Sequence, residues 1–258
     1  MNNMKTVIIT GVSRGIGEAA ACLLLDMGHR IIGIARGSSS SLNQYAGYVG
    51  IEADLGDTAG LSGMLAKVFE RIQPAERSDG IYLVNNAAML QPLRDAGSCM
   101  PEEIAYHMGV NLTAPMVLSA LFARHTDSYT GDKRILNISS ASAAVLLPGM
   151  SCYSTAKAGL DVFSKVMGME QQNKPYPLRI ASVWPGMIET ELQAEVRNQP
   201  ISEFESAGLF IGAKESGMLA TPGAAAGKLV ELLFSDAFPQ GGVVTDLQAF
   251  PKEGAALT

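Results

Sequence analysis

Tyr153 and Lys157 stand four residues apart inside a helix-patterned stretch, 151–171, so a phenol and an ammonium share one helix face. A cation beside a phenol favours the phenolate. It lowers a pKa that starts at about 10 and makes Tyr153 a proton donor or acceptor usable near neutrality. Upstream lie three more polar patches: Asn85-Asn86-Ala87-Ala88, Asn111 between Val110 and Leu112, and the hydroxyl pair Ser139-Ser140. Each alone is ordinary, since Tyr/Lys pairs mostly sit on solvated helix faces and serines often end strands. Their weight comes from occurring together and in order.

A second chemistry-bearing region opens the chain. An apolar run, 5–10, leads into Thr10-Gly11-Val12-Ser13-Arg14-Gly15-Ile16-Gly17, followed by the helix formers Glu18-Ala19-Ala20-Ala21. Strand, glycine turn and helix in that order let backbone N–H groups at a helix N-terminus meet a pyrophosphate. The spacing is G-x-x-x-G-x-G, one residue longer in the turn than G-x-G-x-x-G. Roughly twenty residues further on, an NAD site carries an acid for the ribose hydroxyls. Here that stretch reads Ile34-Ala35-Arg36-Gly37. With the acid missing, Arg36 and Arg14 can flank an adenosine 2′-phosphate through forked, charge-assisted hydrogen bonds, which points to NADP(H). The same residues also spell G-x-S-x-G, the serine-hydrolase elbow. Only ten residues precede Gly11, too few for that fold's earlier strands and oxyanion loop, and neither His107 nor His125 falls in a late loop.

Holding these groups together requires a wound sheet. Mostly continuous apolar, β-branched runs at 5–10, 30–35, 48–52, 81–85, 134–138 and 178–184, with a last one near 242–245, alternate with helical patterns. The helical stretches are 15–27, 60–72, 101–124, 151–171 and 222–234, with Pro101 and Pro222 suited to first turns and Thr221 to a cap. Continuous apolar runs fit strands covered on both faces. The alternation predicts an α/β, Rossmann-type doubly wound parallel sheet of about seven strands with helices on both faces. No low-complexity linker divides residues 1–258, so one dinucleotide-binding domain is expected.

Composition removes other classes. The 258 residues carry 19 Lys plus Arg against 25 Asp plus Glu, a net charge of −6, with 47% apolar residues. There is no continuous apolar stretch of about 18 residues, no basic start with a long apolar segment, and no Lys/Arg cluster. A membrane span, a secretory signal and a nucleic-acid footprint are therefore not expected. Cys22, Cys99 and Cys152 lack metal spacing, and His29, His107 and His125 form no paired-ligand pattern. Reduced thiols, no metal and a cytoplasmic location follow as expectations.

Together these motifs resemble the short-chain dehydrogenase/reductase family over nearly the whole chain. The family pattern is a glycine turn, an NNAG segment, an Asn, a Ser, a Y-x-x-x-K and a Pro-Gly turn after the sixth strand. The last reads Pro185-Gly186-Met187-Ile188-Glu189-Thr190 here. Ala88 departs from the usual glycine; its methyl narrows the approach to the cofactor ribose but removes no functional group. The resemblance implies hydride transfer between carbonyl and alcohol. It places Ser140, thirteen residues before Tyr153, on the substrate oxygen and makes Tyr153 the proton donor to the developing alkoxide. It puts Lys157 on the nicotinamide ribose and Asn111 on a water that relays protons to Lys157. Implied cofactor contacts are Gly11, Ser13, Arg14, Gly15, Ile16 and Gly17 in the turn, Arg36 beyond it, and Asp54 with Leu55 at the adenine. Asn86, Ala87 and Ala88 line the adenosine side, while Pro185, Gly186, Ile188 and Thr190 meet the nicotinamide carboxamide.

The second half is similar, more narrowly, to the benzil reductase and sepiapterin reductase branch, through segments such as NLTAPMVLSALF, PGMIETELQAEVRNQ and FPQGGVVTDLQAF. Members of that branch reduce one carbonyl of a vicinal diketone with NADPH. Asp246 then corresponds to a late aspartate that anchors a pterin, or else is a strand-end carboxylate in water. Trp184 and Phe210 join it as candidate substrate contacts. Residues of about 190–216 are expected to form a mobile lid, with Phe204, Leu209 and Phe210 either facing an apolar substrate or simply packing. Resemblance also implies a homodimer or homotetramer through 101–124 and 151–171. Two alternatives stay open: a 3-oxoacyl or other ketone substrate, and a catalytically idle NADPH-binding sensor on the same fold.

Overall fold

The computed structural model describes residues 4–72 and 80–250. Its strands are β1 (Thr6–Thr10), β2 (Arg30–Ala35), β3 (Tyr48–Glu52), β4 (Ile81–Asn85), β5 (Lys133–Ile138), β6 (Arg179–Val183) and β7 (Val243–Val244). They form one sheet in the order β3-β2-β1-β4-β5-β6-β7, and every neighbouring pair is parallel. The chain starts at the middle of the sheet, winds outward to β3, then crosses to β4 and winds the other way. That reversal leaves a crevice beyond the C-terminal ends of β1 and β4, where open α/β sheets bind ligands.

The continuous apolar strands follow from two covered faces. Val7 and Ile9 join a core with Leu24 of α1 (Gly15–Asp26) and Leu229 of α8 (Pro222–Phe234). Ile8, between them, points into the opposite core. There it meets Leu65 of α2 (Leu61–Glu70), while α4 (Ala114–His125) adds Leu118 and α5 (Ser151–Gln171) adds Met167. Each such side chain contributes roughly 1.5–3 kcal/mol by leaving water. Strands β2, β3 and β4 and helices α5 and α8 have the bounds expected from sequence. Thr221 caps α8 by accepting the Ala224 N–H at 3.1 Å, with Pro222 in the first turn.

One expectation needs correction. The stretch 101–124 is not an uninterrupted α-helix: α3 (Pro101–Met108) opens into a π-helical turn, Gly109–Thr113, before α4 begins. Pro115 lies four residues after Asn111 and has no N–H to give the Asn111 carbonyl, so the α-helical ladder must break there. By length and mean hydropathy the run Pro101–His125 would qualify as a membrane span. In the fold, 44% of its most apolar window is buried, with α4 packed on α2 and the π-turn on α5. The region beyond β6 contains two helices that the sequence did not announce, α6 (Glu191–Arg197) and α7 (Ala207–Glu215). Thr190 caps α6 by accepting the Gln193 N–H at 3.2 Å.

Candidate active site

A cleft of about 760 Å³ opens at the C-terminal ends of the central strands, within the size range of small-molecule sites. Gly11 and Gly17 make its floor possible. A Cβ on Gly11, whose φ is +74°, would lie 2.8 Å from the Ala87 Cα, and one on Gly17 would lie 2.3 Å from the Gly11 carbonyl oxygen. The Asn86-Ala87 segment is tied to the same turn. Thr10 Oγ1 accepts both its N–H groups at 3.0 Å, and Asn86 Nδ2 donates to the Thr10 and Gly11 carbonyls at 2.9 and 3.1 Å. At the start of α1, Arg14 occupies the cap position in extended conformation and its side chain makes no cap bond. The first-turn N–H groups are left for an anion. Glu18 in that turn would oppose one, but Ser39 and Ser41 hold its carboxylate at 3.0 and 2.5 Å. This floor fits a dinucleotide pyrophosphate.

Arg14 and Arg36 both line the cleft, both are exposed, and neither forms an ion pair among the described residues. Beside Arg36 lies a contact that sequence reasoning missed. The Tyr106 phenol donates to the Asp54 carboxylate, 3.0 Å from each oxygen, while Asp54 also accepts the Gly56 N–H at 2.9 Å. Burial and the Asp54 bond raise the Tyr106 pKa, and Arg36 pulls it the other way. The available signal was indirect: Gly56 has no side chain because a Cβ there would fall 2.1 Å from Tyr106 Cε2.

Tyr153 and Lys157 are both buried at the other end of the cleft. Lys157 Nζ donates to the Ile138 carbonyl at 2.7 Å and lies 5.5 Å from the Tyr153 ring centroid. Ser139 is committed to backbone, donating to the Lys157 carbonyl at 3.2 Å. Ser140, which follows it and lies outside the cleft lining, donates to Ser142 Oγ and accepts the Ser142 N–H, both at 3.2 Å. The expected fall in the Tyr153 pKa is not found. Burial pushes it up to about 12, with the Ser140 hydroxyl acting in the opposite direction. Burial likewise pushes Lys157 down to about 8 against the pull of Asp161. Desolvation sets the direction for both groups, and the ammonium's own bond goes to Ile138 rather than to the phenol.

Asn111 sits fully buried in the π-turn. Its Oδ1 accepts the Met89 N–H at 3.0 Å, and its Nδ2 donates to the Met89 carbonyl and to His107 Nε2, both at 2.8 Å. The side chain is spent. His107 is a second residue the sequence reading passed over, because a histidine inside a helical pattern carries no spacing signal.

Other candidates divide cleanly. Ser13, Gly15, Ile16, Asp54, Leu55, Asn86, Ala87, Ala88, Pro185 and Thr190 line the cleft. Gly186 is exposed and Ile188 is buried and bridged to Ala220, both outside the lining. Phe210 and Phe204, ring centroids 6.4 Å apart, belong to an apolar cluster that includes Tyr153, Leu90 and Val196, whereas Leu209 is 62% exposed. The Trp184 indole N–H donates to Asp161 at 2.9 Å, away from the cleft. Asp246 is exposed at the end of β7, where it accepts the Ala249 N–H at 3.1 Å. Among the described residues no cluster of His, Cys, Asp and Glu could hold a metal.

A reversing parallel sheet, a glycine turn under a cleft, and a Ser/Tyr/Lys group at one end define a nucleotide-dependent oxidoreductase. The family model "short chain dehydrogenase" matches residues 5–201, and the chain belongs to that family, whose members use NAD(P)(H). It is 33% identical to benzil reductase ((S)-benzoin forming) of Bacillus cereus, over 93% of this chain and 98% of the relative. It is 31% identical to sepiapterin reductase of Meriones unguiculatus, over 92% of this chain and 94% of that one. Among solved structures, KRED1-Pglu superposes with a TM-score of 0.80 at 22% identity, covering 93% of this chain and all of that chain, which supports the fold.

Proposed function

We propose that this protein, a carbonyl reductase of the short-chain family, uses NADPH to reduce one carbonyl of a vicinal diketone to the hydroxy-ketone. The observation that carries this reading is the pairing of two ends of one cleft. Tyr153 and Lys157 line one end, with Ser139 beside them and Ser140 next in the chain. Arg14 and Arg36, without ion pairs among the described residues, line the other, with no carboxylate ending β2. The diketone comes from the benzil and sepiapterin reductase relatives. Bound NADPH would supply the hydride. Ser140 and Tyr153 would hold the substrate oxygen by their hydroxyls. A Tyr153 pKa of about 12 keeps the phenol protonated at neutral pH, ready to give its proton as the alkoxide forms. Lys157, with a pKa of about 8, is mostly charged there and stabilises the phenolate left behind. Asn111 serves through its backbone carbonyl, which has no α-helical partner because Pro115 lacks an N–H; that carbonyl can hold the water that returns a proton to Lys157.

Gly11, Gly15 and Gly17 would admit the pyrophosphate, with Ser13 and Ile16 beside it, and Arg14 and Arg36 would take the 2′-phosphate. Asp54 and Leu55 would meet adenine, Asn86, Ala87 and Ala88 its ribose side, and Pro185, Gly186, Ile188 and Thr190 the carboxamide. Residues of about 190–216, with helices α6 and α7, would form the lid, presenting Phe210 of α7 and Phe204 of the connection between the two helices to an apolar substituent. Trp184 and Asp246 would reach substrate only if that lid region rearranges. Val162, Val166 and Met169 leave an apolar stripe on the outer face of α5, which would pair with a second copy in the cytoplasm as a homodimer or homotetramer. The test is a purified sample given NADPH with benzil, sepiapterin or a 3-oxoacyl thioester while nicotinamide absorbance is followed. Loss of absorbance with benzil or sepiapterin supports the reading. Turnover of the thioester alone overturns the diketone, and cofactor binding without any turnover overturns the enzyme.

A further inference from the structure

His107 is fully buried at the end of α3, and each of its ring nitrogens has a partner. Nδ1 lies 2.7 Å from the Gln91 carbonyl oxygen and Nε2 lies 2.8 Å from Asn111 Nδ2. One protonation state satisfies every group. The Gln91 carbonyl can only accept, so Nδ1 carries the proton. Asn111 Oδ1 already accepts the Met89 N–H, so the atom facing His107 is the amide NH2, and Nε2 must present its lone pair. The imidazole thus bridges three places: the helix before the π-turn, the Asn111 amide within it, and the 89–91 segment, whose Met89 and Gln91 line the cleft.

We propose that His107 is a positioning residue that, as the neutral Nδ1–H tautomer, fixes Asn111 and the 89–91 wall of the cleft for the reaction. This rests on the reading in which Asn111 serves that reaction. Imidazolium would turn Nε2 into a donor facing another donor and would bury a second positive charge near Lys157. Two groups of α5 face the ring: Lys157, whose charge opposes protonation, and the Tyr153 ring, edge-on with centroids 6.2 Å apart. Burial also disfavours the charged form, while the Gln91 bond favours it. An apolar side chain of similar size could fill the volume but would leave the Gln91 carbonyl and one Asn111 N–H without these partners.

Two substitutions separate the two bonds. His107→Gln keeps an acceptor near the Nε2 position, and His107→Asn keeps a donor near Nδ1. With NADPH and benzil, His107→Gln should keep kcat within about threefold, and His107→Asn should lose about tenfold, the scale seen when supporting groups are removed. The NADPH Kd should stay within about twofold in both. Asn111→Ala should lower kcat, and adding His107→Phe to it should cost less than His107→Phe costs in the wild type, because only the Gln91 bond is then left to lose. On the acid side, wild-type kcat should fall as imidazolium forms, and His107→Gln should lack that fall. Wild-type kcat in both single variants, a slow His107→Gln beside a normal His107→Asn, or an acid limb common to wild type and His107→Gln would each overturn the proposal. Undiminished kcat in Asn111→Ala would overturn it as well, because that variant keeps the backbone carbonyl and loses only the side-chain anchors. NADPH binding with no turnover by the wild type would instead overturn the reading on which the proposal rests.

Discussion

The two ends of the sheet use the same residue types to opposite effect. At the N-terminal end, Asp132 accepts the Tyr82 phenol at 2.5 Å, Arg134 Nε at 3.0 Å and Arg179 at 3.0 Å. Arg134 also donates to the Leu233 and Ser235 carbonyls at the end of α8, both at 2.7 Å, and its guanidinium lies over Tyr82 and Phe238. Burial alone would raise the Asp132 pKa, yet the bonds from Arg134, Tyr82 and Arg179 together hold it below the usual range. Every charge there is answered from within the chain. At the C-terminal end, Arg14 and Arg36 face the cleft without ion pairs among the described residues. The catalytic candidates Tyr153 and Lys157 are buried in states that burial disfavours charging. A polar cluster that closes on itself fastens helices to strands; one left open is shaped for something else.

That contrast can be broken from either end. Tyr153→Phe should give the largest effect, lowering kcat with benzil by about 10³-fold, within the range for losing a proton donor. NADPH affinity should stay within about threefold and Tm should hold, because the phenol supports no fold contact that Phe would lose. Substantial remaining turnover would remove Tyr153 from the role of donor. At the closed end, Arg134→Ala should do the reverse. Stripping a buried guanidinium from Asp132 and the α8 carbonyls should cost about 3–5 kcal/mol of stability, while kcat of the folded fraction is unchanged. A stable Arg134→Ala protein with impaired kcat would dissolve the distinction between the two ends.

Lys157 gives a smaller, pH-dependent effect. Its pKa is about 8 in the folded protein against an ordinary 10.5, so the unfolded chain holds the proton more tightly. Unfolding takes up a proton between those values, and stability rises with pH across that window. The cost of burying the ammonium is fully present below about pH 8 and relieved by about pH 10.5. Denaturant titrations of the cofactor-free protein should show a gain of roughly 1–3 kcal/mol over this range relative to Lys157→Met. Parallel curves for the two proteins would mean that the ammonium is better solvated than its burial implies.

Local rules made much of this legible and cooperative ones hid the rest. Strands β2 and β4 announce themselves because parallel strands covered on both faces are apolar almost without interruption, while β3, at the sheet's edge and only partly buried, is read from a shorter run. Tyr153 and Lys157 are readable because i,i+4 spacing places two side chains on one helix face wherever the helix ends up. The break at Asn111 was missed although Pro115, whose missing N–H removes one rung of the ladder, carried its signal. Tyr106 and His107 were not readable. Tyr106 matters only because α3 crosses over Gly56, and His107 only because the Met89–Gln91 segment folds back to it, and neither pairing has a fixed separation in sequence. The sign of the Tyr153 shift was hidden for the same reason. Spacing shows that Lys157 is near, but not that the Ile138 carbonyl takes its ammonium.

The smallest effect tests the open end most directly. Arg36→Ala should weaken NADPH binding by about tenfold, the value of one charge-assisted contact to a partly exposed phosphate. NADH binding should change by less than about threefold, since NADH lacks the phosphate. Because Arg36 is exposed, its contribution should shrink as salt rises: ionic strength near 1 M leaves a screening length of only about 3 Å. Wild-type and Arg36→Ala affinities for NADPH should therefore converge at high salt, which a buried, closed ion pair such as Asp132–Arg134 would not do. Equal losses for NADPH and NADH would mean that Arg36 shapes the adenosine pocket through its contact with Tyr106 rather than through its charge. The free guanidinium would then be one more packing group, and the openness of this end would belong to the glycine turn alone.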